Sequence, residues 1–108
     1  MVDKSLINRK LERVNNYLKL IRLKKDLGFD LFVKDADLQS IILFNLIQAI
    51  QACIDIGAHI ISDSEWETPG TLADIFEVLF QHNVISRKLT EKMIQMAGFR
   101  NRIVHGSC

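Results

Sequence analysis

The stretch ADLQSIILFNLIQAIQACIDIGAHIIS, residues 36–62, decides what kind of fold this chain can adopt. Leu38, Ile41, Ile42, Leu43, Phe44, Leu46, Ile47, Ile50, Cys53, Ile54, Ile56, Ile60 and Ile61 run through it. They leave a narrow polar stripe, Gln48, Gln51, Asp55, His59 and Ser62, spaced by threes and fours. Such spacing marks a helix, and a helix apolar around most of its circumference must be covered on more than one side. In a chain of 108 residues, part of that cover is expected from a second copy, which predicts a homodimer. Asn45, Gln48, Gln51, Asp55 and His59 interrupt the run from Ile41 to Ile61, which argues against a membrane span.

The segments on either side are helical too. Upstream, Ile7, Leu11, Val14, Leu18 and Ile21 recur at spacings of four and three, with Leu20, Leu23 and Leu27 widening the stripe and Gly28 as a stop. A helix over about 4–27 follows. Downstream, residues 63–70 read as an acidic loop ending in a Pro-Gly turn. Thr71 with Asp74 forms an N-cap signal, Leu72, Ile75, Phe76, Leu79 and Phe80 supply a buried face, and Asn83 suits a helix end. His82 sits beside that end. Ser86 caps a fourth helix through Leu89, Met93, Met96 and Ala97, and Gly98 is read as loosening the boundary before a short last segment from Phe99. No alternating strand pattern competes. The predicted fold is all-α: an antiparallel four-helix bundle with a short fifth C-terminal helix, one domain over 1–108.

Charge is segregated. Residues 1–27 carry a net +5, residues 28–80 a net −8 and residues 81–108 a net +4. Two readings stand: helices that satisfy one another's charges, or a basic face assembled from both ends for phosphates or an acidic partner. The opening Met1-Val2-Asp3-Lys4 leads into no apolar core of a signal peptide, and Cys53 and Cys108 make no disulfide framework, so a cytoplasmic location is expected. Cys53 reads as a core residue, as do Met93 and Met96.

The chemistry is concentrated in GFRNRIVHGSC, residues 98–108. On a helix, Asn101 and His105 share a face, as do Arg102 and His105, while Arg100 lies about 140° round from His105 with a side chain long enough to swing back. A guanidinium offers a planar fork of donors matched to phosphate oxygens, and an imidazole can exchange a proton with a ribose hydroxyl near neutral pH. The plainer reading is that Arg102 and His105 complement the negative end of a helix that stops at Gly106. Asp55 and His59, four apart, are expected to pair with each other; as metal ligands they are two where zinc needs more, so no metal is expected. No Gly-rich phosphate loop and no Gly-x-Ser-x-Gly elbow is present, and no cofactor is implied.

Three stretches together, IQAIQACIDIGAHII (47–61), TPGTLADIFEVLFQHNVIS (68–86) and LTEKMIQMAGFRNRIVHG (89–106), resemble the HepT-like branch of the HEPN superfamily from about Leu6 to Gly106. The most specific part is the Arg-Asn-x-x-x-His block, matched by Arg100, Asn101 and His105. The resemblance implies a metal-independent endoribonuclease toxin, dimeric, with two copies of the motif facing each other and a minimal nucleotidyltransferase as antitoxin. Arg100, Asn101 and His105 would be catalytic and Arg102 would bind the RNA substrate. The family pattern reads His-x-Tyr with a further helix beyond, and in such pairs the tyrosine receives AMP from the antitoxin. Ser107 stands at that position here, so the chain is expected to be a C-terminally short form whose control by AMP addition is altered. The alternative is an inactive dimeric helical module that binds the nucleotidyltransferase and performs no chemistry.

Overall fold

The computed structural model describes residues 3–105. Within them the chain forms α1 (Lys4–Lys25), α2 (Phe29–Lys34), α3 (Ala36–Asp63), α4 (Leu72–Gln81) and α5 (Arg87–Val104), with no strand. The four long helices all begin on a side-chain cap. Asp3 accepts from the Leu6 N–H, Asp35 from Leu38, Thr71 from Asp74 and Ser86 from Leu89, each at 3.1 Å. Each cap satisfies an amide that the first turn leaves without a carbonyl partner.

α1 lies along α3 in the opposite direction, with Ile7 near Ile60 at one end and Ile21 near Ile42 at the other. α5 also runs against α3, placing Leu89 and Met93 beside Gly57 and bringing Ile103 and Val104 to Leu43 and Ile47. This is the antiparallel bundle that the periodicity predicts. α3 is long and apolar enough to pass for a membrane span by length and composition. Here Ile50, Ile54 and Ile61 instead build the core with Ile75, Phe76, Val78 and Leu79 of α4 and Ala97 of α5. Close approach of α3 and α4 depends on Gly57, where a Cβ would stand 2.7 Å from Cγ2 of Ile75.

Two details correct the sequence reading. The short fifth helix is not C-terminal: α5 continues through Gly98 to Val104 without a break, and the short element is α2, between the first two long helices. Gly98 fails to interrupt α5 because Ala97, 2% exposed, anchors that turn in the core, and packing outweighs one unfavourable propensity. α2 is only 6 residues, too short for a periodic signal. It starts at Gly28, whose φ of 96° suits glycine, and its last turn is held by the Gln39 amide donating to the Phe32 and Val33 carbonyls.

A clamp fixes α5 against α4. The Arg87 guanidinium donates to Glu77 at 3.1 Å and lies 3.9 Å from the centre of the Phe80 ring. Together with the Ser86 cap and buried Thr90, whose hydroxyl donates to the Ser86 carbonyl at 2.7 Å, it sets the start of the helix whose far end carries the motif.

Candidate active site

The last turns of α5 present Arg100, Asn101, Arg102 and His105 at one end of the bundle. Arg100 and Asn101 follow Ala97 on the inward side of the helix and are half-buried, while Arg102 and His105 are exposed. The Arg100 guanidinium reaches its sequence neighbour: Nη1 donates to Oδ1 of Asn101 at 3.0 Å. Its Nε is buried and meets no acceptor among the described residues. A buried donor left in this way is costly, more so on a charged group. His105 is the C-cap of α5, where its backbone N–H donates to the Asn101 carbonyl at 3.0 Å. None of the described residues forms a side-chain hydrogen bond with the imidazole. The structure thus joins Arg100 to Asn101 and leaves His105 and Arg102 open to a ligand.

The helix-end reading accounts for Arg102 and His105, since the terminal carbonyls of α5 carry partial negative charge. It does not account for Arg100, half-buried on the inward side. A guanidinium held by one neutral amide keeps donors of the kind that match phosphate or carboxylate oxygens. Ser107 lies outside the described residues.

Asp55 and His59 do not pair with each other. Asp55 accepts from Nε2 of Gln51 at 2.9 Å, and Nε2 of His59 lies 2.9 Å from Oδ2 of Asp63. The second contact is a close approach rather than an aligned hydrogen bond, because the same buried nitrogen has no hydrogen-bond partner in place. Each residue on a helix has a neighbour four before and four after, and here the outer neighbours win. Among the described residues no three His, Cys, Asp or Glu side chains converge. Cys53 is half-buried near Ile56 and Met93, and burial pushes its thiol up from the ordinary range, which suits a packing residue rather than a nucleophile.

The excess apolar surface expected of residues 36–62 lies partly at this end, and the packing adds which residues leave it bare. Phe44 of α3 and Ile103 and Val104 of α5 are 42–61% exposed and line one depression next to the motif. Their spacing marks them as apolar helix positions, but only the packing shows that no described helix covers them.

Residues 7–107 match the family described as Ribonuclease HepT-like. The chain belongs to that family. Among its relatives are the mRNA nuclease HepT of Shewanella oneidensis, 36% identical over 74 residues, and the tRNA nuclease HepT of Aphanizomenon flos-aquae, 28% identical over 105 residues. The first alignment covers 68% of this chain but 56% of the relative, and the second 96% and 71%, so the HepT-like chain is matched over only part of their length. The HepT-like fold is equally clear in solved structures. The tri-AMPylated S. oneidensis HEPN toxin in complex with MNT antitoxin superposes with a TM-score of 0.90 at 30% identity, over 98% of this chain and 79% of that one. A toxin–antitoxin complex with AMP-PNP gives 0.87 at 31% identity, over 94% and 76%.

Proposed function

We infer that this chain is the RNA-cleaving toxin subunit of a pair whose other member is a minimal nucleotidyltransferase. The observation that carries this is Arg100, held by Asn101 with a buried donor unmet, five residues before an open histidine. Relatives named as mRNA and tRNA nucleases support it, as do neighbours solved as toxins with their antitoxin.

The chemistry uses the substrate's own 2′-hydroxyl. His105 removes its proton, the 2′-oxygen attacks the adjacent phosphorus, and Arg100 stabilises the charge that develops on the phosphate oxygens. The bond from phosphorus to the 5′-oxygen breaks, that oxygen takes up a proton from water, and a 2′,3′-cyclic phosphate remains. Asn101 orients the Arg100 guanidinium, and Arg102 contacts a neighbouring phosphate. No step calls for a metal ion. Two copies joined through the apolar surface beside the motif would set two such sites close together in the cytoplasm.

That same surface gives a second reading its support: a non-cutting module that only binds its partner. One assay separates them. Labelled RNA should be cut by the wild type in the presence of EDTA, with DNA spared, and His105→Ala should lose about 10²–10⁴-fold while keeping its circular dichroism. A His105→Ala variant that cuts like the wild type would remove the active site proposed here. Ser107 offers a hydroxyl on a shorter stem than tyrosine, so AMP addition by the partner should be poor and Ser107→Tyr should restore it. Intact mass after incubation with ATP and the partner reads that difference.

A further inference from the structure

Gly98 has no folding reason to be glycine. It lies inside an 18-residue helix with ordinary helical backbone, unlike Gly28, and a Cβ there would meet nothing within 4 Å, unlike Gly57. Glycine in a helix interior is a standing cost that alanine would remove. The position is exposed.

Its surroundings on the helix give it a reason. Glu91, Gln95 and Arg102 on one side and His105 on the other fall within about 60° of Gly98 around the axis and are all exposed, while half-buried Ile94 lies about 40° away on the side of His105. Asn101 borders the same sector on the inward flank. The exposed apolar residues Ile103 and Val104 lie at least about 120° away. The backbone bared at Gly98 therefore lies beside Arg102 and His105, with Ile94 the one apolar neighbour in that sector, and the exposed apolar surface near Ile103 and Val104 faces elsewhere. The C-terminal part of the sector, with Arg102 and His105, fits a polar, anionic ligand better than the apolar centre of a protein interface, and the acid Glu91 lies two turns before Gly98.

We propose that Gly98 is where the ribose–phosphate chain of the RNA lies against α5. With no side chain there, the strand can approach the helix closely enough to present one phosphate to Arg102 and the next ribose to His105. This rests on the ribonuclease reading and adds a substrate-contact position to it.

The test compares Gly98→Ala and Gly98→Leu with the wild type in four measurements: thermal midpoint, cleavage kinetics, sedimentation, and affinity for a 2′-O-methyl RNA that cannot be cut. Gly98→Ala should raise the midpoint by a few degrees. Both variants should bind the analogue more weakly, by about tenfold for alanine and more for leucine, with the loss in KM rather than kcat and no change in sedimentation. Unchanged binding and cleavage in both variants would overturn the proposal, and so would a loss that tracks dissociation of the oligomer, which would assign the glycine to a contact between copies. If the wild type binds the analogue without cutting RNA, the ribonuclease reading fails while weakened binding by Gly98→Leu still supports the contact. If the wild type neither binds nor cuts, both fall.

Discussion

The indole of Trp66 lies flat on the imidazole of His82, with ring centres 3.8 Å apart and planes within 2°. The pair closes the acidic loop onto the C-cap of α4, and Nε2 of His82 is 3.4 Å from the Glu67 carboxylate. The backbone N–H of Glu67 itself, and then the hydrogen bond from His82, hold that carboxyl below its ordinary value of 4.5. A depressed carboxyl stabilises the fold above its unfolded pKa, and that contribution disappears as pH falls through the folded value. Wild type and Glu67→Gln should therefore differ in thermal midpoint at pH 6–7 and converge in acid, followed through Trp66, the chain's one tryptophan. A difference that persists unchanged well below the carboxylate range would show that Glu67 acts through packing and not through charge.

Gly57 and Ile75 give a test of the core. The contact at 2.7 Å is with Cγ2 of a branched side chain only 6% exposed, which has little room to yield. Gly57→Ala gains about 1 kcal/mol in helix propensity but overpacks the α3–α4 crossing by about 1–3 kcal/mol, so a net loss of up to about 2 kcal/mol is expected. Ile75→Ala removes the clashing methyl. In a double-mutant cycle by urea denaturation, Gly57→Ala should cost less in the Ile75→Ala background than in the wild type. Simple additivity would mean that the helices separate to admit the methyl rather than strain against it.

The contrast between these glycines shows what was legible in the sequence. Periodicity and the caps Thr71 and Ser86 locate the long helices to within a few residues, because each signal is local and is repeated over several turns. Asn83 is at φ 63°, the left-handed end expected of it. Gly98 was misleading, since propensity at one residue says nothing of the core contact made by its neighbour Ala97. The candidate site was visible as Arg100, Asn101 and His105 within six positions. Its working contact, between adjacent residues Arg100 and Asn101, follows from no helical spacing rule, and neither does the choice of Asp63 over Asp55 by His59.

Phe44 is 61% exposed on α3, close to Ile103 and Val104 at the motif end. If a second copy covers this surface, Phe44→Asp places a charge in an apolar interface and should shift sedimentation at tens of micromolar from dimer to monomer. Circular dichroism should be unchanged, because the side chain supports little of the protomer's own core. A wild-type monomer at that concentration would remove the dimer and the paired active sites together.

Arg100 and Asn101 allow the chemistry to be separated from the helix-end reading. If Arg100 acts only as a positive charge, Arg100→Lys should be neutral, since lysine keeps the cation. If its planar fork grips a phosphate, lysine loses the paired donors and cleavage should fall by at least about tenfold. Asn101→Ala leaves the guanidinium without its 3.0 Å partner and should give a smaller loss, seen mainly in kcat, because the arginine remains but is less well aimed. Asn101→Asp is the sharper variant. A carboxylate beside Arg100 would pair with the guanidinium, compete with phosphate and repel it, so this substitution should cut less well than Asn101→Ala while melting at the same temperature or higher. Arg100→Lys and Asn101→Asp both retaining wild-type cleavage would detach this pair from the reaction and leave His105 to be explained without it.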